Sequence, residues 1–121
     1  MKNIDIDKRT YEFALRVIKF VQKLPKNVIA QELGKQLLKS GTSVAANVEE
    51  AQGSFSKDDF TYKMSTAFKE AKESNLWLRL IRDANIANGE LKNENKELIN
   101  ESIEIRNILG TIVTSSKAVN S

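Results

Sequence analysis

The chain reads as an all-α protein, an antiparallel up-down-up-down four-helix bundle. Three observations lead there. Apolar residues recur at three- and four-residue spacing in four long segments, which places them on one face of each helix. The 121 residues include one proline and five glycines, few for the tight turns of a β-rich fold. The breaks between segments, at Pro25, Gly53 and Asn88-Gly89, are short, and short connections favour antiparallel neighbours. The length suits one domain over residues 1–121, and 40% hydrophobic with 29% charged residues can bury a core.

The first helix is expected from about Asp7 to Lys23, with Phe13, Val17, Phe20, Val21 and Leu24 on one face. Pro25 ends it, and Asn27 is available to cap the next. The second helix, about Val28 to Gln52, has an apolar stripe of Ala30, Leu33, Leu37, Val44, Val48 and Ala51. Gly34 and Gly41 each cost about 1 kcal/mol relative to alanine inside a helix. That cost implies either close packing or a kink near Gly41-Thr42; the continuous helix is favoured. Gly53 reads as a stop. Ser56 can cap the third helix, with Asp58 and Asp59 at its positive dipole end. That helix is expected from about Lys57 to Asn88, where the Asn-Gly pair stops it. The fourth runs from about Asn93 to Ser116 on a stripe of Leu98, Ile105, Leu109 and Ile112, leaving "KAVNS" as a frayed tail.

The third helix is apolar on more than one side. Phe60, Met64, Ala67, Ala71 and Leu78 form the core face, whereas Leu76, Trp77, Leu80 and Ala84 point elsewhere. No helix is central in a four-helix bundle, so a second greasy face calls for a partner, and large apolar patches are uncommon on monomers. Self-association through Leu76, Trp77, Leu80 and Ala84 is the expectation. Cover by the loop before the fourth helix and by the chain ends is the alternative.

In "QLLKSGTSVAANVEEAQG", Gln36, Ser40, Ser43, Asn47 and Glu50 fall along one edge of the second helix. Glu49 and Glu50 are consecutive and project about 100° apart, so they cannot converge as a catalytic dyad. The expected role of Ser43, Asn47 and Glu50 is a structural polar seam, with Arg79 or Arg82 of the third helix reaching Glu50.

Composition narrows the chemistry. There is no cysteine and no histidine, which removes disulfides, thiolate catalysis and the commonest general base, and argues against a zinc site. No metal, cofactor or catalytic residue is expected. No apolar run nears the roughly 20 residues of a membrane span, and the start lacks a signal-peptide core, so a cytoplasmic protein with no membrane partner is expected. The formal charge is +3 and the pI about 9.2, which permits nucleic acid without demanding it. Arg9, Arg16, Lys19, Lys23 and Lys26 lie on roughly one side of the first helix, and Lys57, Lys63, Lys69 and Lys72 add charge on the third. This is either a solvated face or a phosphate-binding surface. Without a helix-turn-helix signature or aromatic stacking platform, binding through Arg9, Arg16, Lys19, Lys23, Lys26, Lys63 and Lys69 would be nonspecific.

The segment Gln36–Ile81 carries three features together: Ser-Val-x-x-Asn-Val-x-Glu at Ser43 to Glu50, Ser-Lys-x-Asp-Phe at Ser56 to Phe60, and Lys69-Glu70-Ala71-Lys72-Glu73 before Trp77-Leu78. On these residues the chain resembles the small four-helix-bundle proteins encoded in intervening sequences of bacterial 23S ribosomal RNA genes. They are often labelled ribosomal-protein-like and are similar to the accessory variability determinant of diversity-generating retroelements. Ala51 departs from the glycine many relatives carry there. The resemblance implies a homopentameric ring and no established catalysis. It also implies possible partners, since the retroelement relatives are thought to bind nucleic acid and a reverse transcriptase through a basic surface.

The leading expectation is therefore a noncatalytic oligomeric bundle, a pentamer on the resemblance alone, that binds RNA or DNA through its basic faces. The alternative is a protein-interaction scaffold or adaptor without nucleic acid. An enzyme would need converging polar groups that the sequence does not offer.

Overall fold

The computed structural model describes residues 5–120, with side chains through Ala118. Four helices follow one another: α1 (Ile6–Gln22), α2 (Val28–Gln52), α3 (Lys57–Asp83) and α4 (Glu90–Asn120). Each start that the sequence marks chemically is made as marked. Asn27 accepts from the Ala30 N–H and Ser56 from the Asp59 N–H, each satisfying a donor that the first helical turn leaves open. Asp5 does the same for α1, accepting from the Lys8 N–H.

Three helix limits differ from expectation by more than one residue. The third helix stops at Asp83, five residues before Asn88. Asn85 takes the left-handed conformation at φ 57°. The Asn85 N–H then donates to the Arg82 carbonyl and the Ile86 N–H to the Ile81 carbonyl, both at 3.1 Å. This is a Schellman closure with asparagine in the position glycine usually fills. Gly89, at φ 61°, turns the chain into α4, which therefore begins at Glu90 rather than Asn93. The fourth helix also continues to Asn120, through most of the "KAVNS" expected to fray; nothing between Thr111 and Asn120 is a glycine or proline that would stop it.

The helices pack as a square: α1 on α2, α2 on α3, α3 on α4, and α4 back on α1, the thinnest of the four contacts. Neighbours are antiparallel. As numbers rise in one helix they fall in the next: Ser40 meets Ser74 and Glu50 meets Lys63, while Asn75 meets Ser102 and Thr61 meets Ser116. A single apolar cluster fills the middle. Phe13, Val17, Phe20 and Leu24 of α1, Leu37, Val44 and Val48 of α2, Met64, Leu78 and Ile81 of α3, and Leu98, Ile105 and Leu109 of α4 are all buried. Each large side chain removed from water contributes about 1.5–3 kcal/mol.

The glycines of α2 have a packing reason, and α2 runs unbroken through both. A Cβ on Gly41 would stand 3.1 to 3.3 Å from three Val17 carbons, and one on Gly34 would stand 2.9 Å from Leu24 Cδ1. Both lie where α1 comes against α2. This seam is where the two backbones approach closely.

Candidate nucleic-acid interface

The cationic residues singled out in the sequence divide into two groups. The first is neutralised internally. Arg9 of α1 grips Glu101 of α4 with two bonds, Nε to Oε2 at 2.7 Å and Nη2 to Oε1 at 3.0 Å. Arg16 does the same to Glu94 at 3.1 and 3.2 Å and adds Glu97 at 3.3 Å. Hydrogen bonding to these carboxylates raises both guanidinium pKa values against the opposing effect of burial. Lys63 of α3 donates to Glu50 of α2 at 2.8 Å. These three cations bridge neighbouring helices, so a phosphate would have to compete with a carboxylate already in place.

The second group is open. Lys19, Lys23, Lys26 and Lys69 are exposed, and none makes an ion pair among the described residues. Lys19 and Lys23 edge a groove of about 480 Å³ between the end of α1 and the start of α4, which Glu90 and Glu94 also line. The stripe on α1 is therefore cationic at its C-terminal end and salt-bridged along its middle. Lys69 stands apart on α3.

The expected polar seam takes another form. Glu50 is exposed and meets Lys63 instead of Arg79 or Arg82. Antiparallel packing explains this. It sets the end of α2 beside the start of α3, and both arginines lie toward α3's other end. Arg79 donates from Nε to Asn75 Oδ1 at 2.7 Å, and Arg82 pairs with its neighbour Asp83. Asn47 Nδ2 donates back to the Ser43 carbonyl at 2.9 Å, so that pair is bonded within α2. Glu49 and Glu50 open onto a shallow depression of about 340 Å³ lined with Ala45 and Ala46. Among the described residues, the carboxyl whose pKa is raised is Glu70, pushed up by burial first and by Glu73 second.

A buried polar layer does cross the bundle, through residues the sequence reading largely passed over. Ser40 and Ser74 share a bond at 2.8 Å between α2 and α3. Asn75 Nδ2 donates to Ser102 Oγ at 2.9 Å, and Asn95 Nδ2 donates to the Leu78 carbonyl at 3.1 Å, both between α3 and α4. All of these side chains are buried. Their signal was present: Asn95 and Ser102 fall three and four residues either side of Leu98, on α4's apolar face. The carboxylates Glu94, Glu97 and Glu101, which claim the α1 arginines, were missed because pairing between helices needs their relative rotation.

The apolar residues set aside for self-association also separate. Leu76 is 38% and Leu80 41% exposed. Ala84 is exposed but caps the helix. Trp77 is half-buried against the core cluster, with its Nε1 enclosed and without a hydrogen-bond partner. The chain itself covers much of the indole. Among the described residues, no group of three or more acidic, histidine or cysteine side chains is placed to hold a metal, and no helix is long and apolar enough to cross a membrane.

Four antiparallel helices around one core, with polar side chains spent on bridging neighbours, define a helical-bundle protein. The chain belongs to the 23S rRNA-intervening sequence protein family, whose sequence model matches residues 2–111. It is similar to a crystal structure from Bacteroides thetaiotaomicron, described as a protein of unknown function from the S23 ribosomal protein family. The two share 33% identity over 89% of this chain and 97% of that one, with a TM-score of 0.77. No protein of curated function shows significant similarity to the chain.

Proposed function

We propose that this protein is a noncatalytic, self-associating bundle of the cytoplasm that binds nucleic acid without sequence preference. The observation that carries the reading is the unneutralised cluster of Lys19, Lys23 and Lys26 at the end of α1, exposed and without ion pairs while Arg9 and Arg16 are consumed by α4. Exposed lysines attract phosphates and release their counterions, a term independent of base sequence. Self-association would repeat the cluster in each subunit and sum the field. The family takes its name from an intervening sequence of 23S ribosomal RNA, and the S23 neighbour is of unknown function, so the reading rests on the lysines. The noncatalytic part is supported by the carboxylates: Glu49 and Glu50 face solvent, and the cationic groove at α1 is open and of mixed charge.

The test is a titration of labelled RNA and DNA oligonucleotides over a salt series. Three lysine–phosphate contacts give a slope of log K against log salt near −2 for a single strand, from about −0.7 per contact. Absence of binding to every oligonucleotide at low salt would overturn the proposal and leave the scaffold role, which a nuclease-resistant pulldown of one protein would support.

A further inference from the structure

Phe60–Lys69 in α3 and Ile105–Asn120 in α4 are both free of carboxylates. Antiparallel packing lays them side by side. Phe68 sits against Gly110, where a Cβ would come within 3.1 Å of its ring, and Thr61 bonds Ser116. Between them runs a groove of about 920 Å³. Lys72, Arg106 and Lys117 line it, with Asn107, Thr111 and Thr114 between them, and no acidic residue does.

None of the three cations makes an ion pair among the described residues. That distinguishes them from Arg9, Arg16 and Lys63, which carboxylates of a neighbouring helix hold. By the register that sets Phe68 beside Gly110, Lys72 and Arg106 stand level across the groove. Two like charges at one level repel unless an anion lies between them. Lys117 is eleven residues beyond Arg106, about 16 Å along α4 at the helical rise. One phosphate cannot reach both ends of that row, whereas a polymer of phosphates can. Lys72 Nζ lies over the Phe68 ring, 5.1 Å from its centroid, so that face is closed to a stacking base. The recognition available is of charge and backbone. Packed helix axes lie about 8–10 Å apart, and a trough of that width takes one strand rather than a duplex.

We propose that the α3–α4 groove is the principal nucleic-acid track, with the phosphodiester backbone of a single strand lying along α4 and held by Lys72, Arg106 and Lys117. The inference rests on the nucleic-acid reading above and moves its centre from the end of α1 to the opposite end of the bundle.

The experiment compares the wild-type protein, a groove variant (Lys72→Gln, Arg106→Gln, Lys117→Gln) and an α1 variant (Lys19→Gln, Lys23→Gln, Lys26→Gln). The probe is a labelled 20-nucleotide oligouridine, and circular dichroism checks each fold. The groove variant is expected to lose at least about tenfold in affinity near 0.1 M salt, with the salt slope shallower by about 2. The single variant Lys117→Gln, near the end of the helix, is expected to reduce the slope by about 0.7 should the triple variant not fold. If the groove variant binds like wild type while the α1 variant does not, the groove assignment falls and the nucleic-acid reading stands. If wild type binds no oligonucleotide, both fall. Competition by pyrophosphate as strong as by oligouridine at equal phosphate concentration reduces the groove to a small-anion site and overturns the polymer. Tighter binding of a duplex of equal length overturns the single strand.

Discussion

Gly41 and Gly34 occupy the same seam but face different neighbours, and the difference sets what a methyl group would do at each. At Gly41 the added carbon meets Cβ and both γ-carbons of Val17, which is fully buried. A β-branched side chain in a helix is held near one rotamer, so Val17 cannot turn away. Gly41→Ala should gain about 1 kcal/mol of helix propensity and lose about 1–3 kcal/mol to overpacking, for a net destabilisation of about 1 kcal/mol. At Gly34 the closest atom is Leu24 Cδ1, the far end of a flexible side chain, with Val21 next at 3.2 Å. Rotation about the leucine's outer bond relieves most of the contact, and Gly34→Ala should lie near neutral. Urea denaturation of the two variants measures the contrast; a Gly41→Ala protein as stable as wild type would show that α1 and α2 can part there without loss. The same scale shows how much a single residue's role depends on what surrounds it. That both glycines mark close packing was legible from their cost in a helix, but which was rigidly opposed depends on the neighbour across the seam.

Helix starts in this chain are local events, and the sequence announces them. Asn27 and Ser56 each carry a side-chain oxygen one residue before an apolar-periodic run, and each accepts the expected backbone N–H. The end of α3 is different. Asn85 and the Asn88-Gly89 pair are both competent to turn the chain, and local chemistry favours the second. The structure uses the first because Ile86, just past Asn85, folds back to pack against the core cluster. That contact is tertiary, so it could not be read from the segment alone. The cap yields its own prediction. An L-residue lacking a short polar side chain resists the left-handed region by about 1–2 kcal/mol. Asn85→Ala should therefore destabilise the protein by about 1 kcal/mol, and Asn85→Gly should leave it unchanged or slightly more stable. Thermal melts of both variants decide it; equal melting temperatures would mean that the Ile86 contact alone holds the turn. A helix wheel showed Arg9 and Arg16 as a basic stripe, but not that α4 turns Glu94, Glu97 and Glu101 toward it.

At the scale of the molecule, the open question is what covers Leu76 and Leu80. They lie one turn apart on the outside of α3 and keep 38% and 41% of their surface in water. The sequence grouped them with Trp77 as one greasy face, because a helical wheel records direction and not the bulk of the neighbours. In the bundle the indole is half-buried against its own core cluster, so Trp77 fluorescence would report an apolar environment whether or not the protein self-associates. The two leucines are the better probe. Replacing both with glutamate places two charges where a second copy would sit, which an apolar interface does not tolerate without partners. It leaves Leu78 and Ile81, both fully buried, in place, although each replaced leucine also gives up the cover its own chain provides. The Leu76→Glu, Leu80→Glu variant should keep its helical circular dichroism, with a loss of stability of about 1–3 kcal/mol from the partly covered leucines. Under sedimentation it should become a particle of 13.6 kDa from a larger wild-type species. The wild-type melting temperature should also rise with protein concentration, as expected when folded chains associate, and the variant's should not. A wild-type protein that already sediments as one chain would remove self-association. The cationic residues would then have to hold nucleic acid with the +3 charge of a single copy, and the multiplied field invoked for binding would be lost with it.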